Sequence, residues 1–486
     1  MHDSDQPDHI SIVWFRQDLR VNDNQALIHA AQNGRVLPIY ILDDQNAAAD
    51  QLGAASRVWL HHSLKRLNQS LDGQLKVFKG NATDIMAQLT DALDIYSVSW
   101  NRCYEPWRIQ RDAAIKTDLK SKEISCQSFN ASLLWEPWTI LKKDASPYKV
   151  FTPYYKNGCL STAPRSAQPT PENIHFYSDH IKSAISINGL NLISTGNWSQ
   201  SVIDHWQVGE QAATEKLEDF IIKTLCDYQQ GRDFPALAST SSLSPHLHFG
   251  EISSHQIWQR LEFESMHNHS DNLSHFKREL GWREFSYYQL YHWPDLPRSE
   301  FNPRYLNFQW QQDGTNLQLW QQGKTGIPII DAGMRELWQT GTMHNRVRML
   351  VASFLVKNLL VDWREGARWF WDCLFDADLA SNSASWQWCA GCGADAAPYF
   401  RIFNPVLQSE KFDPDCDYLS RYCPELTLLP KKFRHSPWLA NDTVLKEAGI
   451  TLGIDYPLPI VDLKLTRQRA LDHFKQHRLT TQDIDS

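Results

Sequence analysis

Short apolar runs that alternate with helical patterns dominate residues 1–135, and this alternation restricts the fold more than any other feature of the chain. The runs are bounded by polar residues or glycine, as buried strands are, and comprise Ile10–Phe15, Val36–Leu42, Leu75–Phe78 and Ile95–Trp100. Helix-like apolar spacing lies between them at Ser56–Leu67 and Ala82–Leu93. The alternation predicts a doubly wound parallel α/β sheet, which binds ligands at the carboxyl ends of its strands. No glycine-rich dinucleotide fingerprint or Walker loop follows any run.

The rest of the chain changes character twice. Residues 136–203 are richer in Pro, Ser, Thr and Asn and predict a long connector, in which the aromatic stretch Tyr148–Tyr155 is expected to pack. Residues 204–476 show helical periodicity, for example at His275–Tyr291, Ile330–Gln339, Arg346–Val361 and Gly366–Phe375. We therefore predict an α/β domain over 1–135, a connector over 136–203 and an all-α domain over 204–476.

Composition and charge limit the possible environments and partners. No apolar run approaches the roughly 18 residues of a membrane span, and the polar start Met1–Asp8 lacks the features of a signal peptide, so a cytoplasmic protein is expected. The nine cysteines are scattered, which favours free thiols in a reducing compartment. The net charge of −8 disfavours a nucleic-acid partner, although a local basic patch can suffice.

Four polar motifs interrupt the helical region, which also holds many of the 20 tryptophans. Each has a plain structural interpretation, as a helix cap, a surface ion pair or core filling, and each also suits a flat or anionic ligand. Glu279 and Arg283 lie four residues apart on one predicted helical face, with Trp282 beside them. The motifs are the hydroxyl run Thr240–Pro245, Lys277–Phe285, Met343–Met349, and Asp376–Asn382 followed by Trp386 and Trp388.

Metal and thiol chemistry are weaker alternatives for this region. The acids Asp376 and Asp378 lie near Asn382, but hard-metal sites generally need more oxygen ligands, and no metal is predicted. Cys389 and Cys392 form a C-x-x-C motif. It lies within a helical region, and no second such motif exists, so neither a redox centre nor a zinc site is favoured.

The order and spacing of these motifs resemble the photolyase/cryptochrome family along essentially the whole chain, and most closely its class I cyclobutane pyrimidine dimer photolyases. The resemblance begins at Val13–Arg20 and includes Phe151–Pro153, Gly231–Pro235, Thr240–Pro245, Trp282–Phe285, Lys324–Gly326, Met343–Met349, Asp362–Gly366, Asp376–Trp388 and Asp395–Pro405. It implies light-driven repair: excited reduced FAD passes one electron to a flipped-out dimer, the cyclobutane ring opens and the electron returns. It also implies a monomer that acts on dimer-containing DNA, double- or single-stranded.

The resemblance assigns roles residue by residue. FAD is expected to contact Tyr228, Thr240, Ser241, Leu243, Ser244, Arg283, Arg348, Asp376, Asp378 and Asn382, of which Asn382 faces flavin N5. The lesion pocket is expected to be lined by Glu279, Trp282, Asn345, Met349 and Trp388, and DNA to contact Arg232, Arg283, Arg346 and Arg401 as well. A protonated Glu279 would donate to the dimer's carbonyl oxygens. Trp386, Trp363 and Trp310 correspond to the family's electron-hopping chain.

Departures from the family pattern leave some assignments open. Thr342 stands where the family usually has Trp, and Ser242 where Arg or Gly is common. Near Pro106–Arg108 the chain lacks the Asn-Glu pair of folate-binding relatives, so the expected antenna chromophore is methenyltetrahydrofolate, a deazaflavin or FMN. The main alternative function is a cryptochrome-type photoreceptor; Asn382, Glu279 and Met349 oppose it. A (6-4) photolyase would favour Gln at position 279 and His at position 345.

Overall fold

The computed structural model describes residues 9–194, 196–266, 271–396, 398–399 and 401–482. Two compact units are present. The first comprises residues 1–226, 241–294 and 375–380, and the second comprises residues 227–240, 295–374 and 381–486. Both units therefore draw on separate stretches of the chain, whereas the predicted division into 1–135, 136–203 and 204–476 is continuous in sequence and stays a prediction.

The first unit contains a parallel five-stranded sheet with the order β3-β2-β1-β4-β5. Its strands are β1 (Ile10–Phe15), β2 (Arg35–Leu42), β3 (Lys76–Lys79), β4 (Ile95–Asn101) and β5 (Ser125–Phe129). The central strand β1 pairs with β2 and β4, so that Val13 lies opposite Pro38 and Ser99. The predicted doubly wound α/β fold class is confirmed.

Helices cover both faces of this sheet. They are α1 (Gln25–Gln32), α2 (Ala54–Ser70), α3 (Ala82–Ala92) and α4 (Pro106–Ser121). Because side chains alternate along a strand, Val13 and Phe15 pack with α1 and α2 on one face, whereas Ile12 and Trp14 pack with α3 and α4 on the other.

The remaining helices of the first unit carry several predicted site residues. They are α5 (Asn197–Ile203), α6 (Glu210–Lys223), α7 (Ser244–Phe249), α8 (Ser254–Ser265) and α9 (Asp271–His292). Short helical turns occur at Asp44–Ala47, Ala48–Asp50, Phe151–Pro153, Tyr154–Gly158, Cys159–Ser161, Asn188–Leu190 and Leu225–Asp227.

The end of α7 is fixed against the loop that follows β1. Gly250 has a φ of 67°, and a Cβ there would lie 2.1 Å from the carbonyl oxygen of Gln17. Arg20 donates to the Gly250 carbonyl over 2.8 Å, and the Leu19 amide donates to the Phe249 carbonyl over 3.1 Å. Only glycine combines this left-handed conformation with so close an approach of two backbones.

In its described residues the second unit is helical, apart from an isolated β-bridge between Leu452 and Tyr456. Its helices are α10 (Gly314–Gln321), α11 (Pro328–Thr340), α12 (Asn345–Ser353), α13 (Trp363–Cys373), α14 (Leu379–Ala390, whose first two residues belong to the first unit), α15 (Pro405–Phe412), α16 (Asp417–Tyr422), α17 (Asp442–Glu447) and α18 (Leu463–Gln482). Short turns occur at Tyr228–Gly231, Pro303–Tyr305, Phe354–Asn358, Pro424–Leu426, Lys431–Arg434 and Pro437–Leu439. Apart from the gaps given above, no helix in residues 9–482 has the length and apolar character needed to cross a bilayer.

The predicted bounds of two helices are wrong, and two further elements were not predicted. The helix expected at Arg346–Val361 ends at Ser353, after which Phe354–Asn358 form a π-helical turn. The helix expected at Gly366–Phe375 begins three residues earlier, at Trp363, because Asp362 accepts a hydrogen bond from the Arg364 amide as its N-cap, and it ends at Cys373. The prediction omitted β5, which has few apolar residues, and the polar helix α4.

Candidate functional site

A cleft opens in the first unit at the carboxyl ends of β1 and β2. Two indoles, Trp14 and Trp107, line it together with Arg108 and Arg111. The guanidinium of Arg111 lies 4.6 Å from the Trp14 ring and 4.9 Å from the Trp107 ring, which makes cation–π contacts with both. Arg111 thus lies against both rings, and of the two indoles Trp14 is buried whereas Trp107 is half-buried.

Two carboxylates, Asp112 and Asp43, balance the charges of Arg16 and Arg111 in the cleft. Asp112 bonds to Arg16 over 2.5 Å and to Arg111 over 2.9 Å. Arg111 also pairs with Asp43 over 3.2 Å. Despite the cost of burial, the two guanidiniums lower the pKa of the Asp112 carboxyl. Buried charges that are paired in this way hold the cleft in one geometry.

A loop of hydroxyl residues precedes α7 in the first unit. Ser244 donates from Oγ to Oδ2 of Asp376 over 2.5 Å, which joins two of the predicted FAD contacts. Leu243 is buried and anchors the loop, while Ser244 is exposed. Ser242 has a φ of 50°, a left-handed conformation that explains why glycine suits this position. Thr240 is exposed but belongs to the second unit.

A fully buried polar network lies behind α7, and the sequence did not reveal it. The carboxylate of Glu251 contacts His246 Nδ1 at 2.5 Å through Oε2 and accepts from Trp59 Nε1 over 3.1 Å through Oε1. All three side chains are shielded from solvent. Because both carboxylate oxygens are engaged, the network fixes the orientation of α7, which carries Ser244.

Helix α9 places Glu279, Trp282 and Arg283 as the sequence predicted, with Glu279 and Trp282 half-buried one turn apart. Trp282 stacks on Phe151, with ring centroids 3.7 Å apart and an interplanar angle of 10°. Arg283 donates to the Ser132 carbonyl over 2.8 Å, and its FAD and DNA roles stay predictions. Phe151 was part of the quoted motifs, but its contact with Trp282 could not be read from the sequence.

Glu284, next to Arg283, faces the protein interior. It is 2% exposed and accepts the Leu134 amide over 2.9 Å. Burial raises the pKa of this carboxyl to about 8, although the Arg283 guanidinium, 3.5 Å away, opposes the shift. Glu284 is therefore a structural acid that holds the chain before the predicted connector against α9.

In the second unit, α12 carries Asn345, Arg346, Arg348 and Met349. Asn345 is exposed at the first helical position, and Met349 is half-buried. Arg346 pairs with Asp233 over 2.7 Å and lies 4.4 Å from the Phe412 ring. Arg348 Nε donates to the Met343 carbonyl over 2.7 Å, which ties α12 to the segment before it.

Thr342, the departure from the family pattern, lies in that segment. Its Oγ1 is 3.2 Å from Oγ1 of Thr340. Nearby, Glu336 accepts the Tyr418 hydroxyl over 2.6 Å and the His344 amide over 3.2 Å. The smaller residue is therefore accommodated by a local hydroxyl contact.

Two other predicted residues of the second unit lie close together. Arg232 has its guanidinium 5.3 Å from the ring of Tyr228, which is buried. The predicted DNA contact Arg232 is thus placed beside the predicted FAD contact Tyr228. Arg401 is exposed; within its motif, Ala397 and Phe400 lie outside the described residues.

Asn382 and Trp386 occupy one helix of the second unit, α14. Asn382 Nδ2 donates to the Ala367 carbonyl over 3.0 Å, which orients its amide. Trp386 packs so closely against α13 that a Cβ on Gly366 would lie 2.1 Å from its ring. Among the described residues, Trp386 has ring contacts with Trp320 and Phe370.

The three predicted hopping tryptophans are not in ring contact with one another within the described part of the chain. Trp310 contacts Phe308, with centroids 4.5 Å apart, and Trp363 is fully buried beside Arg364. Trp388 is half-buried near the end of α14. The electron-hopping and lesion roles of these indoles stay predictions.

The metal and thiol alternatives gain no support from local geometry. Within the described ranges, no group of three or more His, Cys, Asp or Glu side chains is arranged to hold a metal ion. Cys389 and Cys392 are free and buried, and burial raises the pKa of the Cys389 thiol to about 12. A thiol in this state is a poor nucleophile.

Comparison with known proteins identifies the family. A family model described as the FAD binding domain of DNA photolyase matches residues 276–476, and one described as DNA photolyase matches residues 11–172. The deoxyribodipyrimidine photo-lyase of Agrobacterium fabrum is 45% identical over 474 residues, which cover 97% of this chain and 98% of that relative. The chain belongs to the DNA photolyase family. This family membership confirms the predictions of an FAD cofactor and of a photolyase-type lyase.

Cryptochromes belong to the same family. Cryptochrome-2 of Arabidopsis thaliana is 37% identical, and the match covers 94% of this chain and 77% of the cryptochrome. The family thus includes cryptochromes as well as the photo-lyases to which this chain is similar.

Solved photolyase structures share the whole fold. A bacterial class III photolyase from Agrobacterium tumefaciens superposes with a TM-score of 0.93 at 44% identity, covering 98% of this chain and 99% of that one. This relative is class III, whereas the sequence led us to expect class I. An archaeal photolyase from Sulfolobus tokodaii, solved with two FAD molecules, matches with a TM-score of 0.81 at 30% identity over 96% of this chain and all of that one.

Proposed function

We propose that this protein is a class III photolyase that splits cyclobutane pyrimidine dimers in DNA under illumination. The observation that carries the proposal is the stack of Phe151 on Trp282, with Glu279 one turn away on the same helix. A flipped-out dimer needs an apolar wall for its rings and a polar group at its carbonyl oxygens. The stack supplies the wall, and Glu279 supplies the polar group.

The proposed chemistry breaks two carbon–carbon bonds of the cyclobutane ring and restores two pyrimidines without net oxidation or reduction. The carboxyl of Glu279 is assigned to donate to a dimer carbonyl, where negative charge develops. Asn345, which is exposed, is assigned to bond to base edges. Arg232, Arg346 and Arg401 are assigned to contact phosphates.

The residues of both units suit FAD. In the first unit Ser241 and Ser244 present hydroxyls, and Asp376 is already bonded to Ser244. In the second unit, the fixed amide of Asn382 suits a flavin ring nitrogen. Reduced FAD, when bound, supplies the light-excited electron. The residues proposed to contact FAD are Tyr228, Thr240, Ser241, Leu243, Ser244, Arg283, Arg348, Asp376, Asp378 and Asn382.

Several aromatic and sulfur side chains complete the proposed site. Met349 and Trp388 are assigned to the lesion pocket. Trp386, Trp363 and Trp310 are assigned to conduct electrons inward when oxidised flavin is reduced in light. This assignment is supported by the burial of Trp386 and Trp363 and the half-burial of Trp310, which shield the indoles from water.

A repair assay tests the proposed function. Purified protein is illuminated with duplex DNA carrying one thymine dimer, and dimer loss is followed by chromatography, with dark samples and (6-4) photoproduct DNA as controls. We expect light-dependent loss of the cyclobutane dimer only. Absence of that loss in protein with a normal flavin spectrum would refute the proposal and favour a cryptochrome-type photoreceptor, which the identity to Cryptochrome-2 makes the second candidate.

Two variants test the proposed roles within the same assay. Glu279→Ala should lower the repair yield while leaving the flavin spectrum intact. Trp282→Ala should weaken dimer binding by roughly 1–3 kcal/mol, the usual loss of one base–aromatic stack. An unchanged yield in the first variant would remove Glu279 from its assigned role.

The cleft at the strand ends is the proposed site of a second, light-harvesting chromophore. The support is its pair of indoles with Arg111 against both rings, together with the two FAD molecules of the archaeal relative. The proposed ligand is methenyltetrahydrofolate, a deazaflavin or FMN. Reconstitution with each compound, read by its absorbance on the purified protein, tests which one binds; an Arg111→Gln variant should bind it less tightly.

A further inference from the structure

A surface of lysines and aromatic rings in the first unit has no role so far. It consists of Lys142, Lys143 and Lys149 together with Trp138 and Trp293, and we call it the basic–aromatic ridge. The three lysines and Trp138 are exposed, and Trp293 is half-buried. We propose that this ridge binds the phosphates of duplex DNA that flanks the lesion, an inference that rests on the proposed function.

The segment that carries Lys149 is anchored to α9 by two contacts. The Tyr148 amide donates to the Tyr288 hydroxyl over 2.9 Å. Three residues along the chain, Phe151 stacks on Trp282. A preformed surface binds phosphates at a smaller entropic cost than mobile lysines would.

Two of the three lysines lie near aromatic rings. Lys149 Nζ lies 5.9 Å from the Trp293 ring, and Lys142 Nζ lies 6.0 Å from the Tyr148 ring. Trp138 packs on Tyr291 with centroids 5.4 Å apart. Cations clustered on one surface are the electrostatic footprint of a nucleic-acid site.

The local charge of the ridge has the sign that DNA requires, although the chain carries a net charge of −8. Asp144, the acid within this turn, bonds to the amide and the hydroxyl of Ser146. Glu136 pairs with Arg102. Among the described residues, no ion pair engages Lys142 or Lys143, so these two cations remain available to an external anion.

The position of the ridge relative to Trp282 defines which part of the DNA it meets. Trp293 follows Trp282 by 11 residues, and its amide continues the helical bonding of α9 by donating to the Gln289 carbonyl over 2.8 Å. Eleven residues of α-helix complete three turns to within about 20°, so the Cα positions of Trp282 and Trp293 lie on one face, about 16 Å apart along the helix axis. Because phosphates advance about 3.4 Å per base pair along each strand, DNA parallel to α9 would meet the ridge about five base pairs from the lesion.

The salt dependence of DNA binding tests this inference. The variant Lys142→Ala/Lys143→Ala/Lys149→Ala is compared with Lys65→Ala/Lys120→Ala/Lys182→Ala, which removes the same charge from exposed lysines elsewhere in the first unit. Dissociation constants are measured at several KCl concentrations on duplex DNA with one thymine dimer. Each lost phosphate contact should reduce the slope of log K against log salt by about 0.9. We expect a reduction of about 2–3 in the ridge variant only; equal slopes in the two variants would overturn the inference.

Duplex length provides a second, independent arm. On DNA with three base pairs on each side of the dimer, the ridge variant should bind as the wild type does. On DNA with twelve base pairs on each side, it should bind more weakly. Equal effects on both duplexes would place the lysines at the lesion itself and overturn the inference.

Failure of the proposed function would be recognised separately. Dimer loss at saturating DNA concentration depends on the lesion site, and the ridge variant should retain it. Salt slopes on undamaged duplex report on the ridge whether or not repair occurs. Because the three lysines are exposed, the substitutions should leave the thermal midpoint nearly unchanged, which circular dichroism checks.

Discussion

The buried acid Glu284 should make the stability of the first unit depend on pH. Burial raises the pKa of its carboxyl to about 8 in the folded protein, compared with about 4.3 in an unfolded chain. Between these values the folded state keeps a proton that the unfolded state has released. The free energy of unfolding should therefore decrease as the pH rises, by about 1.4 kcal/mol per pH unit, and level off above the folded pKa.

Between pH 6 and pH 9 this amounts to a loss of roughly 2–3 kcal/mol for one residue. The Glu284→Gln variant should lack this slope, since the amide carries no charge and its oxygen can still accept from Leu134. The wild type and the variant should thus have similar stability near pH 6, and the variant should be the more stable near pH 9.

Urea denaturation across this pH range measures the difference, and hydrogen exchange of the peptide containing Leu134 and Trp135 localises it. Glu215→Gln, at an exposed position on α6, is the control and should leave the pH dependence unchanged. A stability difference between wild type and Glu284→Gln that stays constant from pH 6 to pH 9 would refute the assignment of a raised pKa to Glu284.

Three further substitutions have defined outcomes. Gly366→Ala would place a Cβ 2.1 Å from the Trp386 ring. The resulting overpacking should lower the free energy of unfolding by about 1–3 kcal/mol, which outweighs the gain in helix propensity. Because Trp386 is displaced, the rate of light-driven flavin reduction, measured by absorbance, should change. Glu251→Leu deprives buried His246 of its hydrogen-bond partner and should cause FAD to be lost on gel filtration, whereas Glu251→Gln should retain FAD. Equal retention of FAD by the two variants would contradict the role of Glu251 in positioning α7. Asn382→Asp removes an amide donor and should change the flavin redox state that accumulates under illumination; identical spectra would exclude that role.

The sequence predicted well where an element is defined by its own residues. Ile10–Phe15 is apolar throughout, and β1 has the bounds that its pattern indicates. The edge strand β5 was missed because SCQSF is half polar and only partly buried. The polar helix α4 was missed for a related reason: few of its side chains face the core. Periodicity identifies an element only when burial is strongly one-sided.

The order of the motifs in the sequence predicted which residues belong to the candidate site. It did not predict which other residues their side chains contact. The sequence indicated that Glu279, Trp282 and Arg283 share a helix, because their spacing determines this. It did not indicate that Phe151 stacks on Trp282 or that Arg283 bonds to Ser132, which lies 151 residues earlier.

The sequence by itself therefore determined the alternation of strands and helices, the identity of the polar motifs and, through their order, the family. Tertiary structure decided which distant groups meet. Trp59 bonds to Glu251 across 192 residues, and Arg20 bonds to the Gly250 carbonyl across 230. Local propensity and periodicity depend on neighbours within a few residues. The long-range contacts arise only when the helices pack on the sheet. Polar groups that become buried at that point have only each other as hydrogen-bond partners.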